Sequence, residues 1–157
     1  MPHHFRAFLL IPPRKAFGVL ILLAALALST HAQLGPASGD EQAVRKIIEQ
    51  YFRGHATGDP AEMRKAFFPT AHIEGLRNGR FVSWTAEEYS ALFRGAPAAN
   101  EASRKRTIDS VDVSGTAAMV RATLVHGATT FTDYFVLLKV DGEWKIANKA
   151  YSARPTG

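Results

Sequence analysis

The stretch FTDYFVLLKVDGEWKIANKAY, residues 131–151, decides the fold. Two alternating apolar runs flank Asp141-Gly142, a pair that is typical of the two-residue turn of a β-hairpin. Such a turn also determines which residues face each other across the two strands. The predicted pairs are Val140–Glu143, Lys139–Trp144, Leu137–Ile146, Phe135–Asn148 and Asp133–Ala150.

A second tight turn at Gly127-Ala128 pairs the strand before it with the strand that contains Asp133. The two hairpins together predict one apolar face and one polar face, as expected for an antiparallel sheet that covers a core on one side. The predicted inner face holds Val120, Ala122, Leu124, Phe131, Asp133, Phe135, Leu137, Trp144, Ile146 and Asn148. The predicted outer face holds Arg121, Thr123, Thr132, Tyr134, Lys145 and Lys149.

Helix signals dominate the first half of the chain. Ser38 is a predicted N-cap, Asp59-Pro60 opens a second helix that should end at Pro69, and Thr85 starts a capping box. The Asn78-Gly79 pair predicts a further hairpin. The predicted strands are 71–76, 80–84, 106–113, 117–126, 129–140 and 143–151. The predicted order α-α-β-β-α-β-β-β-β, with the helices in the first half and a strand meander in the second, indicates an α+β fold with the helices on one sheet face.

The N-terminus has the pattern of a secretory signal. Basic residues precede an unbroken apolar run at 16–28, and small residues follow it. The alternative is a retained membrane anchor, but 13 residues fall short of the roughly 20 that span a bilayer. We expect cleavage after Ala32, an exported protein (periplasmic or secreted), and no stable membrane anchor afterwards. The predicted organisation is signal 1–32, linker 33–39, domain 40–152 and tail 153–157.

Composition limits the classes of function. Residues 33–157 carry 16 basic and 14 acidic side chains, a net charge of +2, so nothing favours nucleic acid as a partner. The chain has no cysteine, which excludes disulfides and thiolate metal ligands. His72 and Glu74 share one strand face, but two ligands without a third make a weak metal signal. We expect no metal and no cofactor.

Asp133 is the residue that suggests a site. The predicted register turns it inward between Ala122 and Ala150, and small neighbours ringed by large apolar groups are typical of a ligand pocket. The predicted ligand-binding residues are Asp133, Asn148, His126, Tyr51, His55, Phe131, Phe135 and Trp144. In the alternative, the inward polar groups form a buried network that needs no ligand.

Three segments carry a family resemblance: YFRGHATGDPAEMRKAFFPTAHI, RNGRFVSWTAEEYSALF and FTDYFVLLKVDGEWKIANKAY. They resemble the nuclear transport factor 2-like (NTF2-like) superfamily and, within it, the family described as "putative lumazine-binding", close to the SnoaL-like proteins. The resemblance implies a cone of three helices over a strongly bent, mainly antiparallel sheet, a pocket inside it, and homodimers through the outer sheet face. No catalytic residue carries over, because no second acid matches Asp133.

The expected function is that of an exported protein that binds a small molecule without catalysis. One alternative is an isomerase or dehydratase that uses Asp133 as a base. Another is a dimeric interaction module whose inward polar residues are purely structural. The binding hypothesis predicts that Asp133→Ala removes the ligand and changes stability little.

Overall fold

The computed structural model describes residues 38–77 and 79–157, and within them it has the α+β architecture that the sequence predicts. Helices lie in the first half and a six-stranded mixed sheet takes up most of the remainder. The elements are α1 (Gly39–Thr57), α2 (Pro60–Lys65), β1 (Phe67–Arg77), β2 (Arg80–Thr85), α3 (Ala86–Ser90), a 3-10 turn (Glu101–Ser103), β3 (Lys105–Ser114), β4 (Ala117–His126), β5 (Thr129–Val140) and β6 (Glu143–Pro155).

The helix ends follow local capping chemistry. The Glu41 amide donates to Ser38 Oγ at 3.1 Å, and the Ala61 amide donates to Asp59 Oδ1 at 2.7 Å. Both contacts satisfy amides that lack a partner inside the first helical turn. The predicted capping box at Thr85 is also present, with both of its hydrogen bonds. These three helix starts are therefore confirmed.

Gly58 ends α1 in the left-handed conformation, with φ at +67°. A Cβ at this position would lie 1.9 Å from the carbonyl oxygen of Ala96. The Gly95 amide donates to the Gly58 carbonyl oxygen at 2.8 Å. Only glycine fits this junction, which ties the loop after α3 to the end of α1.

The strand order is β2-β1-β6-β5-β4-β3. β1 runs parallel to β6, and every other neighbouring pair is antiparallel, so the sheet is mixed and mainly antiparallel. The β1–β6 pairing joins the first half of the chain to the last strand, and it brings α1 over the inner face of the sheet. The buried core lies between them and includes Val44, Ile48, Tyr51, Ile73, Val120, Leu124, Phe135, Leu137 and Ile146.

The predicted extension of the second helix to Pro69 is wrong. α2 ends at Lys65, and Phe67 already belongs to β1, where it pairs with Ile146. The Ile146 amide donates to the Ala66 carbonyl oxygen at 2.9 Å. Burial of Phe67 and this pairing to a distant strand outweigh the local helical pattern.

The register of the last hairpin changes at a β-bulge. The predicted pairs hold from the turn as far as Leu137–Ile146, but Val136 then pairs with Asn148, so Ala147 is the extra residue. One extra residue reverses the facing of every side chain beyond it. Phe135 therefore pairs with Lys149, and Asp133 pairs with Tyr151 rather than with Ala150.

The bulge corrects two sequence predictions. Lys149, which we expected on the outer face, lies inside with 4% of its surface exposed. Asn148, which we expected inside, shares the opposite face with its partner His72. The register across Gly127-Ala128 is as predicted, with Ala122 opposite Asp133. Asp133 does point inward and is 1% exposed.

The structure tests the predicted C-terminal tail but not the predicted N-terminal signal. β6 continues to Pro155, so it takes in the first part of the predicted tail. The predicted signal at 1–32 lies outside the described residues. Within 38–77 and 79–157, no helix is both long enough and apolar enough to cross a membrane.

Candidate functional site

A cavity of about 100 Å³ lies between α1, α3 and the inner face of the sheet. Helix α1 supplies Tyr51 and His55, four residues apart on one helical face. The sheet supplies alternate residues of β4, β5 and β6, since those share a face. The complete lining is Tyr51, His55, Tyr89, Leu124, His126, Phe131, Asp133, Lys149 and Tyr151.

A buried ion pair lies at the centre of this lining. Lys149 Nζ is 2.9 Å from Asp133 Oδ2, and the two side chains are 4% and 1% exposed. The Tyr51 hydroxyl donates to the same carboxylate oxygen at 2.7 Å, and Lys149 Nζ donates to the Tyr51 hydroxyl oxygen at 2.9 Å. Burial of either charge alone would be strongly unfavourable, so the two ions depend on each other.

Aromatic rings surround the ammonium group of Lys149. Nζ lies 5.0 Å from the ring centre of Tyr151, 5.2 Å from that of Tyr51 and 5.3 Å from that of Tyr89. Ring faces attract a cation electrostatically at these distances. Burial by itself lowers the pKa of Lys149, but the interactions with Tyr89 and Asp133 raise it by more. The pKa of Lys149 therefore lies above its usual value, and the group is charged at neutral pH.

A chain of hydrogen bonds connects this ion pair to α1 and α3. The Tyr51 and Tyr89 hydroxyls are 3.3 Å apart, and Tyr89 Oη is 3.2 Å from His55 Nε2. Since the single hydroxyl hydrogen of Tyr51 goes to Asp133, the hydrogen between the tyrosines comes from Tyr89. The bond from His55 to Tyr89 then requires a hydrogen on Nε2 of the neutral imidazole.

Both histidines of the lining are uncharged at neutral pH. Desolvation, followed by the nearby charge of Lys149, holds the pKa of His55 well below its usual value. Desolvation, followed by Arg104 and Arg106, lowers the pKa of His126 to about 4. Burial also raises the pKa of Tyr51 well above its usual value, so its hydroxyl keeps its hydrogen. The charges in the lining are therefore those of Asp133 and Lys149, which cancel.

Two polar atoms of the lining lack a hydrogen-bond partner among the described residues. One is Asp133 Oδ1, the carboxylate oxygen that does not contact Lys149, and the other is His126 Nε2. Both atoms are buried. Buried polar atoms in proteins are nearly always hydrogen-bonded, and leaving one unpaired costs about 1–3 kcal/mol. These atoms are the natural contact points for a guest in the cavity.

Five predicted site residues come together around the cavity: Asp133, His126, Tyr51, His55 and Phe131. The other three lie elsewhere. Phe135 packs edge-on against Tyr51 beneath the lining, with ring centres 5.0 Å apart. Trp144 Nε1 donates to Asp40 Oδ1 at 3.0 Å near the start of α1. Asn148 Nδ2 approaches Glu74 Oε2 at 3.4 Å on the outer face.

Sequence reasoning missed Lys149, Tyr151, Tyr89 and Leu124 as lining residues. Leu124 was identified only as an apolar position on the inner face of a strand. The inward positions of Lys149 and Tyr151 depend on the bulge at Ala147, for which the sequence carries no glycine or proline signal. The one available hint was Asn148, a polar residue that the predicted register placed on the apolar inner face.

The outer-face pair His72 and Glu74 is connected through Ser83 on the neighbouring strand. His72 Nδ1 lies 3.1 Å from Ser83 Oγ, and Ser83 donates to Glu74 Oε1 at 3.2 Å. Nowhere in the described ranges do three histidine, cysteine, aspartate or glutamate side chains gather closely enough to hold a metal ion.

Comparison with known proteins agrees with the fold. The chain is similar to the crystal structure of an NTF2-like protein of unknown function from Shewanella baltica OS155. The identity is 26%, the match covers 77% of this chain and all of that one, and the TM-score is 0.68. A second NTF2-like protein of unknown function, from Silicibacter pomeroyi DSS-3, is also 26% identical. That match covers 75% of this chain and all of the other, with a TM-score of 0.66.

Among curated proteins, the aldolase FrzH of a Cladobotryum species is 22% identical over 120 residues, which are 75% of this chain and 94% of that protein. The family model described as "Putative lumazine-binding" matches residues 39–152. The chain belongs to this family, and its fold is NTF2-like, as the sequence resemblance implied.

Proposed function

We propose that this protein is an exported binding protein for a compact small molecule, which it holds in the cavity without changing it chemically. One observation carries the proposal: Asp133 Oδ1 and His126 Nε2 are buried, line the same cavity and have no described partner. A purely structural network would be expected to satisfy such atoms internally. A guest that hydrogen-bonds to them would remove an unfavourable term from the folded state.

The lining limits the chemistry of the guest. An engineered apolar cavity of about 150 Å³ holds benzene, so a cavity of about 100 Å³ limits the guest to a single ring at most. Asp133 Oδ1 can only accept a hydrogen bond, so the guest must present an O–H or N–H group to it. Because Lys149 already compensates the charge of Asp133, a neutral guest fits better than a cation. The aromatic side chains Phe131 and Tyr151 form apolar walls.

The same contacts argue against catalysis. An isomerase or dehydratase needs a donor that is free to stabilise the negative charge of the transition state. Two of the three hydrogens on Lys149 Nζ go to Asp133 and Tyr51, and the hydroxyl hydrogen of Tyr51 goes to Asp133, so the donors next to the acid are largely committed to it. The only acid in the lining already accepts hydrogen bonds from Lys149 and Tyr51 on its Oδ2 atom. The site is built to accept a hydrogen bond rather than to move a proton.

We expect phenol to bind at least about tenfold more tightly than anisole, because a hydrogen bond to a charged acceptor contributes about 1.5–3 kcal/mol. The two compounds share one ring, but only phenol has a hydrogen to donate to Asp133 Oδ1. Isothermal titration calorimetry measures both affinities. In Asp133→Ala/Lys149→Met, which removes both charges, the preference for phenol should largely disappear.

The outcome that contradicts this proposal is equal binding of phenol and anisole, or no binding of either. Mass spectrometry of the native protein supplies an independent measurement, since a compact ring compound should copurify with it. Conversion of such a compound during incubation with the protein would disprove the non-catalytic part of the proposal.

Export is the second part of the proposal, and it rests on the N-terminal signal pattern. When the full chain is expressed in a bacterial host with an intact export pathway, the mature protein should begin at Gln33. Intact-mass measurement of periplasmic and cytoplasmic fractions tests this. A full-length chain that remains in the cytoplasm would contradict it, and replacing the apolar run at 16–28 by polar residues is the control that should block processing.

We also propose that the outer sheet face joins two copies of the chain. Exposed apolar side chains lie together on β4 and β5: Met119, its partner Val136, and the alternating positions Tyr134 and Leu138. Apolar patches of this kind mark interaction surfaces. Analytical ultracentrifugation should show a dimer that Val136→Lys dissociates, while Leu92→Lys, an exposed position outside the sheet, leaves it intact. A wild-type monomer at high micromolar concentration would contradict the proposal.

A further inference from the structure

A larger groove lies beside the cavity, at the end of the sheet where β1, β2, β5 and β6 meet. Its volume is about 730 Å³, within the usual range of small-molecule sites. This outer groove is lined by Trp84, Phe131, Tyr151, Arg77 and Arg154, among other residues. It shares Phe131 and Tyr151 with the cavity, so these two side chains separate the two spaces.

The aromatic wall of the outer groove is fixed in place. Trp84 and Tyr151 are stacked, with ring centres 6.5 Å apart and an angle of 10° between the planes. A Cβ on Gly75 would lie 2.5 Å from the Tyr151 ring, so the glycine lets this ring lie directly on β1. Phe131 packs against Tyr151 with ring centres 6.2 Å apart. An apolar or aromatic group would therefore meet a preformed surface.

The charge of the outer groove has one sign. Arg77 and Arg154 both line it, and its described lining contains no acid. Neither arginine takes part in an ion pair with another described residue. Arg77 also affects the hydroxyl group of Tyr151. Burial raises the pKa of Tyr151, and the positive charges of Lys149 and Arg77 oppose that rise. Arg77 lines the same groove as the aromatic wall formed by Trp84 and Tyr151.

We propose that the outer groove binds an organic carboxylate with an aromatic body. The ring lies against Trp84 and Tyr151, and the carboxylate pairs with Arg77. A guanidinium offers two parallel N–H groups that match the two oxygens of a carboxylate. The apolar wall and the uncompensated positive charge are adjacent in one groove, which is the arrangement that such an amphiphilic anion requires. This site goes beyond the cavity, and it does not depend on what the cavity holds.

The test compares 4-phenylbutyrate with 4-phenylbutanol, which has the same ring and chain but no charge. Nuclear magnetic resonance of the two tryptophan indole N–H groups reports where each compound binds, because Trp84 lines the outer groove and Trp144 does not. The butyrate should shift the Trp84 signal and leave the Trp144 signal in place. The alcohol should bind about fivefold to tenfold more weakly.

Variants separate the charge from the apolar wall. Arg77→Gln should lower the affinity for 4-phenylbutyrate about fivefold to tenfold and leave the affinity for 4-phenylbutanol unchanged. Arg45→Gln, which removes a cation on α1 outside the groove, should change neither affinity. In Asp133→Ala/Lys149→Met, 4-phenylbutyrate should still shift the Trp84 signal even if phenol binding is altered. The proposal for the outer groove can therefore be tested independently of the proposal for the cavity. Equal affinities for butyrate and alcohol, an unmoved Trp84 signal, or unchanged butyrate binding in Arg77→Gln would each overturn the proposal.

Discussion

Asp133→Ala is expected to destabilise the folded protein by about 3–5 kcal/mol, because it leaves the ammonium of Lys149 buried without its counter-ion. The Lys149 side chain is 4% exposed, and its ammonium group is packed among aromatic rings. The Tyr51 hydroxyl also loses its acceptor. The binding hypothesis from the sequence predicted little change in stability, but it did not include Lys149 as a buried partner of Asp133.

Urea denaturation followed by tryptophan fluorescence measures this loss. The matched control is Asp133→Ala/Lys149→Met, in which methionine replaces lysine at similar volume and no charge remains. Exchange of a buried ion pair for apolar residues is often neutral or stabilising, so the double variant should regain most of the lost stability. If the single variant were as stable as wild type, Lys149 would have to lie in solvent, and the bulge at Ala147 would be wrong.

Mild acid should destabilise the protein through the two histidines of the cavity. The unfolded chain takes up protons near pH 6.5, but both folded pKa values are lower, and that of His126 is about 4. Between those values the unfolded state binds more protons than the folded state. The stability that the two neutral histidines contribute is therefore fully present above about pH 6.5, and it is lost as the pH falls. The slope is up to about 1.4 kcal/mol per pH unit for His55. The side chains of His55 and His126 are both only partly buried, and solvent screening reduces the contribution of each.

The window from pH 6.5 down to about 4.5 isolates this effect. Carboxylates such as Glu62, Glu88 and Glu101, whose pKa values hydrogen bonds hold below their usual value, lose their contribution only below about pH 4.5. Urea midpoints at pH 7.0, 6.0 and 5.0 should fall steadily for wild type. In the variant His55→Gln/His126→Gln the urea midpoint should depend much less on pH, whereas His72→Gln on the exposed face should not have this effect. A flat wild-type curve would show that the cavity histidines remain accessible to water.

The elements of this fold could be predicted because local chemistry decides them. Ser38, Asp59 and Thr85 cap helices through amides two or three residues away, and glycine-containing turns join the strands. Alternation along β4 and β5 also identified the inner face and the inward direction of Asp133. Phe67 was misassigned because its strand partner, Ile146, lies almost 80 residues away, and no local pattern records such a pairing.

The site could be predicted only in part, and the reason lies in one residue. The stretch FTDYFVLLKVDGEWKIANKAY by itself determined a hairpin, its turn and a buried acid in the middle of an apolar strand. Whether that acid has a partner was decided by the bulge at Ala147. Side chains alternate with a period of two, so one extra residue moved Asn148 out, turned Lys149 in and placed Tyr151 between the cavity and the outer groove. The packing of β6 between β1 and β5 selects that register, and packing between distant strands exists only in the folded molecule.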